Sequence, residues 1–234
     1  MKIVSTSQLS KYAKIAIYGN AGTGKTTLAA TCDTPLIVSA ESGLISLAEF
    51  DLPAVEINTI KDLNELIKFL KKGEHEYKTL YVDSLSEIAE KIHEHAIGEK
   101  QREAVSLGKG YDPRQAYGEL AIKMMSLTKT FRALAMNVVF TAKMDRFEDE
   151  GVQKYGPMFP GQAYGKNFPY LPDMVWAIEV TKKSGRILRL QPNFQYYCKT
   201  RGGHHLPETI SIPNIDAETF NGFIQRIIDK VLGK

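Results

Sequence analysis

The chain has 234 residues, 43% hydrophobic and 24% charged, with a formal net charge of +3, which supports one sizeable core and excludes disordered, collagenous and disulfide-stapled classes. Its two cysteines, Cys32 and Cys198, make neither a disulfide framework nor a zinc pattern, and no stretch reaches the roughly 20 apolar residues of a membrane helix. The mild positive charge permits a polyanionic partner without arguing for one.

The opening "MKIVSTSQLSKYAK" lacks the apolar run of a secretory signal, so a cytoplasmic setting is expected. Residues 1–13 read as a segment apart from the main domain, 14–234. "AKIAIY" then reads as a buried strand and "KTTLAATC" as a helix, with "GNAGTG" between them. The run fits G-x-x-x-x-G-K-[ST], with Gly19, Gly24, Lys25 and Thr26 in place. Glycines at this density suit a backbone that must approach a phosphate closely. Gly19, Asn20, Ala21, Gly22, Thr23, Gly24, Lys25, Thr26 and Thr27 are therefore the expected cradle of a nucleoside triphosphate, ATP above all. Lys25 would reach the β- and γ-phosphates and Thr26 would ligate Mg²⁺.

"PLIVSA" is a second strand, ending at Glu41, and "SGLISLAEF" a short helix. "AVEIN" is a third strand, and "IKDLNELIKFLKK" carries apolar residues at helical spacing. "YKTLYVD" is a fourth strand whose end presents Asp83, the second expected Mg²⁺ ligand, before a helix through "SEIAEKIHEHAI". No acid follows Asp83 directly; Ser84 does. Glu41, at the strand edge where open α/β sheets put ligands, is the candidate to orient the attacking water, with Glu87 a rival.

"GELAIKMMSLTKTFRALAM" is a helix and "NVVFTA" a strand. "DMVWAIEV", "RILRLQP" and "FQYYCKT" read as strands joined by short turns, and "DAETFNGFIQRIIDKVLG" as a closing helix, with Asp216 as its N-cap and Gly233 past its end. The βαβα order predicts a mostly parallel central sheet with helices on both faces and an antiparallel C-terminal extension. Two stretches read as long loops: "GEKQREAVSLGKGYDPRQAYG", and "KMDRFEDEGVQKYGPMFPGQAYGKNFPYLPD". They supply cations interleaved with aromatics, as single-strand binders do. Lys143, Arg146, Lys154 and Lys166 lie in or beside the second loop, and Arg102 and Lys109 in the first; all six are candidates for contact with DNA. A self-packed loop is the competing reading, and Glu148, Asp149 and Glu150 weigh against a simple basic patch.

A Walker lysine, a glutamate ending the next strand and an aspartate ending a later one together resemble the RecA/Rad51 ATPase core. "LIVSAESGL" resembles the strand carrying that family's catalytic glutamate, and "NVVFTAK" the strand whose end senses the γ-phosphate and leads into a DNA-binding loop. Thr141 and Lys143 stand here where bacterial RecA has a glutamine. "YYCKTRGG" resembles the K-x-[KR] segment that reaches a neighbouring subunit's nucleotide, which implies catalytic roles in trans for Lys199 and Arg201. The compact length and "GQAYGKNFPYLPDMVWAIEV" look more like the small phage ATPases of the single-strand annealing (Sak) group. The resemblance implies a RecA-like P-loop core with ATP and Mg²⁺ as cofactors, single-stranded DNA as partner, and a ring or filament with nucleotide at the subunit interface. It further implies a role in phage recombination inside the bacterial host cytoplasm and a single-strand-binding protein as a further partner. Residues 1–13 would be the candidate oligomerisation arm. The rival expectations are a nucleotide-gated loader or partition-type ATPase and a P-loop small-molecule or nucleotide kinase.

Overall fold

The structure is a computed structural model; it describes residues 5, 11–41, 43–149, 151–182, 185–216 and 222–234. Most of the candidate arm, 1–13, thus lies outside the described residues.

Ten strands form one sheet system. They are β1 (Lys14–Tyr18), β2 (Pro35–Ser39), β3 (Ala54–Glu56), β4 (Thr79–Asp83), β5 (Asn137–Asp149), β6 (Val152–Met158), β7 (Met174–Thr181), β8 (Gly185–Arg189), β9 (Lys199–Thr200) and β10 (Thr209–Ser211). The helices are α1 (Ile60–Lys72), α2 (Leu85–Ser106), α3 (Pro113–Arg132), α4 (Gln162–Asn167) and α5 (Phe223–Leu232), with 3-10 segments at Thr26–Thr31 and Leu44–Phe50. The main sheet runs β10-β8-β7-β1-β5-β4-β2-β3. From β7 to β3 every pair is parallel, while β8, β9 and β10 are antiparallel additions beside β7. The expected fold class holds.

The strand pleat sorts the core into two layers. Ala16, Tyr18, Leu80, Val82, Val138 and Phe140 pack with α1, α2 and α3 on one face. Ile15, Ile17, Tyr81, Val139 and Trp176 pack with the Thr26–Thr31 segment, Leu47 and α5 on the other. Register then aligns the strand ends. Tyr18 pairs with Ala142 and with Ala177, and Ser39 with Asp83. The residues that follow β1, β2 and β4 therefore emerge side by side on one sheet edge, the edge where parallel sheets hold ligands.

Several expectations change. The second long loop is largely a hairpin: β5 continues far past the sheet edge and pairs antiparallel with β6 from Lys143↔Met158 to Asp149↔Val152. The sequence hides it because charged residues fill both faces of a ribbon with too little core to alternate against. Most of the first loop is helix: α2 runs to Ser106 and α3 starts at Pro113 behind the N-cap Asp112. "FQYYCKT" is strand only at Lys199–Thr200. The closing helix is described over Phe223–Leu232, after Gly222, and ends as expected at Gly233 in left-handed conformation; the turn that Asp216 is expected to cap, 217–221, lies outside the described residues. "KTTLAATC" is a six-residue 3-10 segment rather than an α-helix; Thr34 with φ of +40° and then Pro35 end it early. No described helix is long and apolar enough to cross a membrane.

One tie joins the core to the hairpin. The Tyr18 hydroxyl lies 3.0 Å from the Tyr155 carbonyl and 2.9 Å from that of Tyr197, and its single proton is shared between them. Burial raises its pKa far beyond the ordinary phenol range, so it stays a donor. Tyr18→Phe should remove this shared bond and cost about 1–2 kcal/mol. Chemical denaturation should show that loss, and hydrogen exchange should quicken at Tyr155 and Tyr197; unchanged exchange there would remove the tie.

Candidate active site

The Gly19–Thr27 loop leaves β1 at the shared edge. Gly22 and Gly24 take φ of +73° and +88°, a region that disfavours any side chain. A methyl on Gly19 would crowd Thr23 Oγ1 at 3.0 Å and Ile178 at 3.3 Å. The loop closes on itself through Thr23 Oγ1, which donates to the Asn20 carbonyl at 2.9 Å. Lys25 Nζ donates to the carbonyls of Gly19 and Asn20, each at 2.9 Å. Burial lowers the Lys25 pKa, Asp83 and Glu41 raise it, and Lys143 lowers it. The Lys25 carbonyl in turn accepts from the buried Tyr81 hydroxyl of β4.

Asp83 is the junction of the site. It is 6% exposed, and a charge so buried needs partners. Thr26 Oγ1 donates to its Oδ2 at 2.6 Å and Thr141 Oγ1 to its Oδ1 at 2.5 Å. Thr26 and Asp83 thus stand together, as expected. Both offer the hard oxygens that suit Mg²⁺, which commonly takes one or two protein oxygens and completes its shell with water and phosphate. Among the described residues no cluster of three or more His, Cys, Asp or Glu offers an all-protein metal site. Thr26 and Asp83 would hold the ion, and the ion would neutralise phosphate charge.

Glu41 follows β2 at the same edge, where Ala40 N–H donates to the Asp83 carbonyl at 3.0 Å. Its Oε1 accepts from Ser84 Oγ at 2.8 Å, while Ser39 Oγ donates to its main-chain carbonyl. Ser84 also caps α2, accepting from Glu87 N–H at 3.3 Å. The carboxylate of Glu41 is therefore aimed by a hydroxyl anchored beside Asp83, and its exposed position leaves water access. Glu87, the rival, is engaged elsewhere: it pairs with Lys143, which also meets Glu90 at 2.9 Å. Those carboxylates raise the Lys143 pKa beyond its ordinary value, so Lys143 is not a free cation for DNA.

Other expected residues lie apart. Lys199 lies on β9, opposite Val175 near the start of β7, at the sheet edge away from the phosphate loop. Its ammonium donates to the carbonyls of Pro169 and Pro172, both at 2.7 Å, and burial lowers its pKa to about 8. Arg201 meets Asp173 at 3.2 Å. Neither touches its own phosphate loop. Arg146 and Lys154 share the hairpin and Lys166 sits in α4. Arg102 stands on α2, roughly 25 Å along the helix from its start beside Asp83, and Lys109 lies beyond that helix. Arg146 and Lys154 thus share one hairpin, while Arg102 and Lys109 stand on or beyond the far end of α2. Sequence reading missed Tyr81, Ser84 as an aiming group, and Arg186. Tyr81 could have been found: it alternates with Leu80 and Val82 on the far face of "TLYVD". Arg186 carries no sequence signal of its own.

Lys25→Ala should abolish ATP binding, measured by calorimetry. Glu41→Gln should keep ATP binding and slow hydrolysis by about 10²–10⁴-fold, the usual worth of a positioned general base. Normal turnover in Glu41→Gln, with Glu87→Gln dead, would move the role to Glu87.

An AAA domain matches residues 11–202, which span the phosphate loop, Glu41, Asp83 and the hairpin. No curated protein matches the sequence. A KaiC-like protein from the hyperthermophilic archaeon Pyrococcus horikoshii OT3 is similar in structure at a TM-score of 0.43 and 16% identity, covering 76% of this chain and 77% of that one. With the family match running through most of its length and through each element of the phosphate site, the chain belongs to the AAA domain family of P-loop ATPases.

Proposed function

We propose that this chain is a Mg²⁺-dependent, RecA-like ATPase that acts on single-stranded DNA, in annealing or strand exchange of the phage Sak type. One observation carries the reading. The β5–β6 hairpin projects from the phosphate-site edge and bears a ladder of stacked π and guanidinium groups. The Arg146 guanidinium lies 5.2 Å from the Tyr155 ring centre. Tyr155 stacks on Tyr196 at 5.3 Å and 30°, and Arg189 lies 5.9 Å from the Tyr196 ring. Phe194, two residues before Tyr196 in the chain, is 90% exposed. Bases stack on such planes without regard to sequence, while cations follow the backbone. The ladder is mechanically near the nucleotide: Tyr18, which holds the Tyr155 carbonyl, directly precedes Gly19. A hairpin shifted by DNA would pull on the residue that starts the phosphate loop, which is a route to DNA-stimulated hydrolysis.

Oligo-dT should stimulate ATPase activity and bind with affinity that falls steeply with salt. Arg146→Ala/Tyr155→Ala should weaken binding by about 10- to 100-fold, in line with the worth of one stacked base. Lys154→Ala/Lys166→Ala should flatten the salt slope. ATPase activity indifferent to DNA, with no oligo-dT binding, would sink this reading in favour of a loader or partition-type ATPase.

The same proposal includes a homo-oligomer, a ring or filament with nucleotide shared between subunits and Lys199 and Arg201 acting in trans. Their distance from their own phosphate loop suits that role, although Lys199 would have to leave two proline carbonyls. Lys199→Ala/Arg201→Ala should bind ATP and lose DNA-stimulated hydrolysis, and mixing it with Lys25→Ala subunits should restore part of the rate. A double mutant that hydrolyses normally would end the trans role.

A further inference from the structure

Arg186 is the cation nearest the phosphate loop that the expected machinery does not use. It lies on β8, opposite Val180, where the β7–β8 hairpin runs on beyond the β1 strand end. Val180 and Arg186 share a pleat face with Ile178 and Leu188, and those two pack in the same layer as Leu28 of the phosphate-loop segment. The side chain thus rises on the face where that segment sits. Its guanidinium lies against Gly24: a methyl built there would collide with Nη1. Gly24 is therefore glycine for two reasons, its φ of +88° and the room its bare Cα leaves for an arginine.

The charge balance around Arg186 differs from that of its neighbours. Arg189 on the same strand pairs with Glu179, Lys143 with Glu87 and Glu90, and Arg201 with Asp173. The described residues give Arg186 no carboxylate within ion-pair distance. Among the described residues its side chain has one hydrogen bond, a long one, Nη2 to the Pro213 carbonyl at 3.5 Å. A partly buried guanidinium with five donors and a single weak acceptor, pressed on a loop built to approach phosphate, has its donors available for an anion.

We propose that Arg186 is a phosphate ligand supplied in cis by the β7–β8 hairpin, and that it helps bind the polyphosphate chain of the nucleotide through charge-assisted hydrogen bonds. The inference rests on the nucleotide-binding reading of Gly19–Thr27. A guanidinium grips phosphate through paired donors where an ammonium acts as a point charge, so Arg186 and Lys25 would hold the chain by different means.

The test is calorimetric binding of ATP and of inorganic tripolyphosphate to the full chain. Arg186→Gln should weaken both by roughly 10- to 100-fold, the span of one to two charge-assisted bonds. Arg186→Lys should recover part of the loss. The nucleotide-free melting temperature should hardly move, while the upward shift on adding ATP should shrink. In the unaltered chain, phenylglyoxal modification of Arg186, read by mass spectrometry, should slow in the presence of tripolyphosphate. That arm decides the matter even where Arg186→Gln does not fold. Wild-type affinity of Arg186→Gln for both probes, or labelling that tripolyphosphate leaves unchanged, would overturn the assignment. Lys25→Ala separates the two levels. If the unaltered chain binds neither probe, the nucleotide-site reading fails with the inference. If Lys25→Ala abolishes binding and Arg186→Gln keeps the wild-type affinity, only the inference fails.

Discussion

The Asp83 carboxylate, held between Thr26 and Thr141, is the interaction on which the site depends. A buried carboxylate is costly unless its oxygens are satisfied. Here one oxygen takes a hydroxyl from the phosphate loop and the other a hydroxyl from β5. Two chain segments, 57 and 58 residues from Asp83, converge on one group. They can do so because β1 and β4 run in register on either side of β5. The sheet's registry is thus what makes the charge tolerable, and the charge in turn fixes where Thr26 stands. An oxygen pair that suits Mg²⁺ comes from the same arrangement that keeps the apo site satisfied.

What could be read from the sequence follows from how local each signal is. The phosphate loop is legible because its glycines, lysine and threonine are contiguous and flanked by clear apolar runs. Asp83 and Glu41 are legible because each ends a short apolar strand, and strand ends of a parallel sheet share an edge. The β5–β6 hairpin is not, since only Met144, Tyr155 and Gly156 of "KMDRFEDEGVQKYG" reach the core, too few to impose alternation along the ribbon. The last turns of α2 are hidden for a related reason: beyond Ala96 the helix buries no side chain fully. Lys199 was misleading in another way. A lysine in a basic segment reads as an exposed cation, yet two proline carbonyls hold it. Arg186 depends on a hairpin 162 residues after Gly24 folding back on it, a contact that no local pattern encodes.

The two layers of the core reach the phosphate loop from opposite sides. Tyr18, in the layer of α1, α2 and α3, fastens the start of the loop to the carbonyls of Tyr155 on β6 and Tyr197 just before β9. Tyr81, in the other layer, fastens the Lys25 carbonyl. These two hydroxyls bracket the glycines, so the main chain is restrained at both ends while Gly22 and Gly24 keep freedom between them. A phosphate loop needs that division: fixed ends give geometry, and glycine between them permits close approach.

Lys25 shows how such a loop remains ready to bind. Its ammonium is partly desolvated, which lowers its pKa. Two loop carbonyls hold it, and carbonyl dipoles stabilise a cation less than a full negative charge does. Exchanging them for a phosphate oxygen replaces a dipole by a charge at a place already stripped of much of its water, so the gain is larger than it would be at an exposed lysine. Of the two carbonyls, that of Asn20 lies where the loop is open to water, and solvent can satisfy it at small cost. The loop therefore holds its lysine by two carbonyl contacts that a phosphate oxygen can replace.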